Sequence, residues 1–144
     1  MTTKYVVGYD GSPASRRAAD FAVGLAKEHG AEVLIAHVLE WSPYSFLTPE
    51  ELEERHKRRG EELDRAEEAV IAPLKKELAD SGVKVESVIR YGHIADTLCV
   101  IAKESGASQM FVGRDGSSAI SARVFGSVAG SLAQCAPVAC TIVP

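Results

Sequence analysis

Apolar positions along this chain switch repeatedly between short continuous runs and the three-to-four spacing of an amphipathic helix. KYVVGY, residues 4–9, is a β-rich run that stops at a cluster of turn residues, DGSP, at 10–13. A helix is predicted directly after it. Ser12 supplies the cap and Pro13 suits the first helical position, while Ala14, Ala18, Phe21, Ala22, Leu25 and Ala26 form a core stripe that Gly30 ends. EVLIAHVLE, 32–40, is apolar through its middle, the mark of a strand covered on both faces. After a loop with Trp41, Pro43 and Tyr44, Thr48 and Pro49 open a charge-dense helical region that runs to about Ser81. Its first part, 50–68, carries few apolar residues and reads as solvated, with a lid or partner surface as the functional alternative. Its second part sets Leu63, Ala66, Val70, Leu74 and Leu78 on one face, with a bend expected at Pro73.

VKVESVIR, 83–90, alternates apolar and polar residues and reads as a strand near a sheet edge. A helix from Gly92 places Ile94, Leu98, Ile101 and Ala102 on its core stripe and ends at Gly106, before the strand QMFVG at 109–113. A helix from about Gly126 to Cys135 and a last strand, VACTIV, complete the pattern. The alternation implies an α/β fold: one doubly wound, Rossmann-like, five-stranded parallel sheet, with right-handed crossovers and helices on both faces. The expected strand order is 3-2-1-4-5, within a single domain covering residues 1–144. Ligands of such sheets sit beyond the carboxyl ends of the strands where the order reverses, here beside the first strand. DGS at 10–12 and GRDG at 113–116 both lie at strand carboxyl ends, so they are expected to meet there.

Composition narrows the picture only a little. With 144 residues, 46% of them hydrophobic, the chain is long enough to bury roughly two-thirds of its unfolded surface without staples. A formal net charge of -4 speaks against nucleic acid as the main partner, which calls for a basic face. Cys99, Cys135 and Cys140 form no CxxC pair and fit a reducing compartment, each expected to serve as a small buried apolar residue. The apolar run before Asp10 is too short for a signal core or a membrane span, so a cytoplasmic location is expected.

The segment 113–128, GRDGSSAISARVFGSV, holds three glycines and four serines and no lysine. Gly113 and Gly116 can turn the chain beneath a ligand, and the amides near Gly126, Ser127 and Val128, at a helix start, can face phosphates. Neither GxxxxGK[ST] nor GxGxxG is present. From spacing alone, a phosphate cradle and a flexible loop before a capped helix fit equally. Asp10, likewise, is either a ligand group or the turn partner of Gly11.

The pattern Gly113-x2-Gly116-x9-Gly126-Ser127, with VVGYDGSPAS near the start and the IAHV strand, closely resembles the ATP-binding branch of the universal stress protein family, over nearly the whole chain from Val6 to Val143. The resemblance implies ATP as cofactor. By position it implies that Asp10 lies on the ribose and adenine side, that Gly8 and Tyr9 line the pocket, and that Val38 meets adenine through its backbone. Val112, Gly113, Asp115 and Gly116 would run along the nucleotide, and Gly126, Ser127 and Val128 would hold phosphates. Arg114 and Arg123 are added on charge grounds, as the nearby cations in a loop without lysine. Position 108 is serine where family members commonly carry aspartate, and Asp115 brings negative charge toward the phosphates. Magnesium held mainly through phosphate oxygens and water would answer that charge, with no protein cage of metal ligands.

No catalytic residue is assigned. His37 reads as a satisfied core histidine, while His29, His56 and His93 read as helix-end or surface residues without a triad partner. The expectation is therefore an ATP-binding regulator or sensor whose nucleotide occupancy controls a client protein, with slow or no turnover. The rival readings are a slow ATPase or autophosphorylating protein, with Ser117, Ser118 or Ser121 as acceptors, and a nucleotide-free dimeric scaffold. The apolar last strand invites pairing with a second copy, and the family resemblance implies a homodimer through it, with a tetramer as the alternative.

Overall fold

A computed structural model describes residues 2–40, 48–114 and 128–144. Its five strands are β1 (Lys4–Gly8), β2 (Glu32–Glu40), β3 (Val85–Gly92), β4 (Gln109–Gly113) and β5 (Ala139–Val143). All pair in parallel, in the order β3-β2-β1-β4-β5 that the alternation implied. β1 is central and short: its register ends at Gly8 opposite Ala36 of β2 and Val112 of β4. β2 continues beside β3 as far as Glu40 opposite Gly92.

Period-two alternation along the strands feeds two separate cores. On one face lie Tyr5, Val7, Val33, Ile35 and Phe111; on the other Val6, Ala36, Met110 and Val112. The first face is covered by α1 (Pro13–His29) and by α3 (Ala72–Leu78). The second is covered by α4 (Ile94–Ser105) and α5 (Val128–Cys135). Each fully buried Val, Ile, Leu, Met or Phe contributes about 1.5–3 kcal/mol by leaving water. Gly30 and Gly106 end α1 and α4 in the left-handed conformation, at φ 67° and 69°.

Three local departures have physical causes. Phe21 is 48% exposed and not part of the α1 core stripe. That stripe is instead Ala14, Ser15, Ala18, Ala19, Ala22, Val23 and Ala26, small enough to draw the helix close to the sheet and leave a phenyl ring no room beneath it. Phe21 lies at the flank, its ring centroid 6.0 Å from that of Phe111. β3 starts at Val85 rather than Val83, because Gly82 turns the chain at φ 80° and the Ser81 hydroxyl accepts the Val83 N–H.

The third departure is the charge-dense helical region. It comprises α2 (Pro49–Ala66), a π segment (Glu67–Ile71), α3 and a last 3-10 turn (Ala79–Ser81). Pro73 cannot donate a backbone hydrogen bond, and its ring crowds the carbonyl four residues back. The chain answers with a wide turn just before the proline, where Ala72 N–H donates to Glu67 O. That turn carries Ile71, absent from the sequence-based stripe, into the core beside Leu74 and Leu78. The start of α2 has a reciprocal cap: Glu51 N–H donates to Thr48 Oγ1 at 3.2 Å, and Thr48 N–H to the Glu51 carboxylate at 2.9 Å. Most of its surface is solvated, as its composition implied. It is moored to β3 through Tyr91, whose hydroxyl donates to the Glu62 carboxylate and whose ring lies 5.2 Å below the Arg59 guanidinium. Burial, then the hydrogen bond to Glu62, push the Tyr91 hydroxyl up to about 12, which keeps it a donor.

Candidate functional site at the strand carboxyl ends

β1 stops because its next residues make a turn. Tyr9 N–H donates to Ala36 O at 2.9 Å, and the chain then reverses through Asp10 and Gly11, the latter at φ 83°. Asp10 Oδ1 accepts the Ser12 N–H at 2.9 Å, so the turn use of the DG pair is realised. The start of α1 is closed by two buried serines. Ser12 Oγ accepts the Ser15 N–H at 3.1 Å, and Ser15 Oγ donates to Ser12 O at 3.0 Å while accepting the Asp10 N–H at 3.3 Å. Ser15 was not singled out in the sequence, although the spacing SPAS, two serines one helical turn apart at a cap, carries the signal.

Two glycines assigned to the pocket have packing reasons of their own. A Cβ on Gly113 would lie 2.7 Å from the Ala14 carbonyl carbon and 2.8 Å from the Ser15 nitrogen, backbone atoms with nowhere to go. A Cβ on Gly8 would meet Leu98 Cδ1 at 3.0 Å and Val112 Cγ1 at 3.1 Å. Gly113 therefore lets the first turn of α1 rest on the end of β4, and Gly8 lets α4 close on β1. Val112 is itself a buried core residue on the α4 face.

His37 is buried, and its Nδ1 donates to Tyr9 O at 2.7 Å. A carbonyl only accepts, so the proton sits on Nδ1, and the ring is the satisfied core histidine expected of it. Its role is to fix the backbone at the end of β1 against β2. The Tyr9 ring packs against the α1 and α3 core, and burial is the main cause of its raised pKa. Val38 and Val128 pack against the opposite core.

Gly8, Tyr9, Asp10, Val38, Val112, Gly113 and Arg114 are thus gathered at the carboxyl ends of β1, β2 and β4, and Val128 is the first described residue of α5. Arg114 is exposed, with its backbone N–H donated to Val143 O at 2.8 Å. Asp115, Gly116, Arg123, Gly126 and Ser127, and the acceptor serines Ser117, Ser118 and Ser121, lie outside the described residues. Ser108, the departure from the family pattern, precedes β4 at the opposite end of the sheet, where its N–H and hydroxyl both donate to Lys4 O. A residue there does not touch this crevice. Of the three cysteines, Cys140 is part-buried, Cys99 is part-buried and Cys135 is exposed, so the expectation that all serve as buried apolar residues fails at Cys135, the last residue of α5.

β2 outlasts β1, and that difference opens the site. In a parallel strand, alternate residues turn their N–H and C=O toward the same neighbour. Ala36 directs its carbonyl at β1, where it accepts from Tyr9. Val38, two residues on, directs its pair at the same edge, which no β1 residue occupies. Among the described residues, β1 therefore leaves the Val38 N–H and C=O without a strand partner at this edge, and the turn that follows β1 carries the Asp10 carboxylate.

Comparison with known proteins agrees with this fold. The sequence profile of the universal stress protein family matches residues 1–144. Universal stress protein YxiE of Bacillus subtilis is 31% identical over 147 aligned residues, covering 93% of each chain. Universal stress protein UspA from Lactobacillus plantarum superposes with a TM-score of 0.84 at 23% identity, covering 99% of this chain and 97% of that one. A universal stress protein solved in complex with cAMP superposes with a TM-score of 0.66 at 26% identity, covering 99% of this chain and 97% of the other.

Proposed function

This chain belongs to the universal stress protein family, and from that premise we propose that it binds ATP at the carboxyl ends of β1, β2 and β4 and regulates a client protein according to nucleotide occupancy. The observation that carries the reading is Val38 facing the edge that β1 vacates. Its N–H and C=O match the paired acceptor and donor on an adenine edge. Asp10, at the turn opposite, is the group for the ribose hydroxyls, since a carboxylate accepts from both. The phosphates then fall to the segment between Arg114 and Val128, where Gly116, Gly126 and Ser127 supply backbone amides and a hydroxyl, and Arg114 and Arg123 the positive charge. Support for an adenine nucleotide comes from the cAMP complex of the structural relative.

Magnesium enters this reading only through the phosphates. In it, phosphate oxygens and water hold the ion, as magnesium's reluctance to shed its waters favours. Of the described groups at the crevice, His37 is committed to Tyr9 O and Asp10 Oδ1 to the Ser12 amide, which favours retention of ATP over its turnover. The reading includes a homodimer through β5, an edge strand with Ile142 37% exposed. No helix of the described residues is long and apolar enough to cross a membrane.

The test is nucleotide released on denaturing the purified protein, together with titration of stripped protein with ATP and magnesium. Adenine nucleotide near one equivalent per chain is expected, and Asp10→Ala should weaken binding on the order of tenfold, the worth of a charged hydrogen bond at 1.5 kcal/mol or so. Absence of adenine nucleotide from the preparation, joined to no saturable binding at millimolar ATP, sinks the proposal.

A further inference from the structure

α4 and α5 lie side by side on one face of the sheet, and each presents a thiol to the other. Cys99, in the middle of α4, and Cys135, at the carboxyl end of α5, are 36 residues apart in sequence, yet their sulfurs are 3.9 Å apart. The Cys99 thiol also lies 3.8 Å from the Cys135 carbonyl oxygen, to which it donates. We propose that Cys99 and Cys135 form a reversible disulfide that clamps α5 onto α4 when the protein meets a peroxide. Two observations point to this pair: the sulfurs already face each other, and the pair has one wet and one sheltered member. Cys135 is exposed, whereas Cys99 packs at the margin of the core beneath α4.

A disulfide needs sulfurs about 2.05 Å apart, so each must move by roughly 1 Å. Side-chain rotation and the last turn of α5 supply that movement. The division of labour follows from exposure. Cys135 meets the oxidant first, and its thiolate attacks one oxygen of hydrogen peroxide. The O–O bond breaks, the departing hydroxide takes up a proton as water, and Cys135 is left as the sulfenic acid. The Cys99 sulfur then attacks the Cys135 sulfur, the S–O bond breaks, and the second hydroxide leaves with the Cys99 proton as a second water. Two thiols and one peroxide have become one disulfide and two waters. Burial, then the hydrogen bond to Cys135, push the Cys99 thiol up to about 11, in keeping with its part as the partner that holds its proton until attack.

The experiment uses the full chain without nucleotide, so its outcome is independent of the ATP reading. In a Cys140→Ser background, Cys135 is the sole thiol on the carboxy-terminal tryptic peptide, residues 124–144, and Cys99 is the sole thiol on residues 91–103. After treatment with equimolar hydrogen peroxide, these two peptides should appear as one species in the monomer and separate on reduction. Closing a loop of this length should raise the unfolding midpoint by about 10 °C, reversed by dithiothreitol. Adding Cys99→Ser should abolish both the linked peptide and the shift. The proposal fails if peroxide instead drives Cys135 to sulfinic acid with Cys99 still free, if the linkage forms between chains, or if the linked monomer melts no higher than the reduced one.

Discussion

Gly113→Ala is expected to lower the unfolding midpoint by about 10 °C, the effect of roughly 3 kcal/mol in a chain of this size. The added methyl would stand 2.7 Å from the Ala14 carbonyl carbon and 2.8 Å from the Ser15 nitrogen, inside the first turn of α1. A flexible side chain in that place would swing aside; a backbone held by the Ser12 and Ser15 hydrogen bonds does not. The cost therefore sits at the upper end for an overpacked site, since α1 must lift off β4 or lose its cap. A melting curve within about 2 °C of the parent protein would show that the close approach is not rigid. The variant also separates two meanings of the glycine pattern. If nucleotide affinity falls only as far as stability does, Gly113 acts on the site by seating α1 and not by touching the ligand.

Phe111→Ala acts on the same strand face with the opposite error. Phe111 is fully buried, its ring meets Tyr5 edge-on at 5.3 Å between centroids, and the Tyr5 hydroxyl is hydrogen bonded to His29 Nδ1 at 2.7 Å. Truncation leaves a cavity that the β-strands on either side cannot collapse into, at a cost of about 3–5 kcal/mol. The denaturation midpoint in urea should fall accordingly with its slope unchanged, and a shift below about 1 kcal/mol would mean that Phe21 or Tyr5 refills the space. Gly113 and Phe111 together set the seating of α1: the helix rests directly on backbone at one residue and on an aromatic ring two residues earlier.

The strands, the parallel sheet and its order were legible because each apolar run is short, bounded by turn residues and followed by a helical stripe. The place proposed for the site was legible too, since DGS follows β1 and Gly113 and Arg114 lie at the end of β4, strands that the topology sets side by side. What single residues do there was not. Sequence alone cannot distinguish a glycine that admits a ligand from one that admits a helix, and Gly8 and Gly113 are both of the second kind by their neighbours. Phe21 misled for a related reason: spacing placed it on the stripe, but the alanines around it bring α1 too close for a ring to fit beneath. The pairing of Cys99 with Cys135 is a contact between two helices whose sequences lie on either side of β4, and no local pattern encodes it.

The π segment before Pro73 has a consequence for how this protein tolerates sequence change. A wide turn of five residues sets back the winding of the helix by roughly a quarter turn. The half that carries Arg59 and Glu62 toward Tyr91 and the half that carries Ile71, Leu74 and Leu78 toward the sheet therefore keep separate angular settings. Drift in the charged half is not transmitted to the core, because the turn absorbs a mismatch that a continuous α-helix would pass on. One end of the region is free to diversify its surface while the other remains bound by the packing of the sheet.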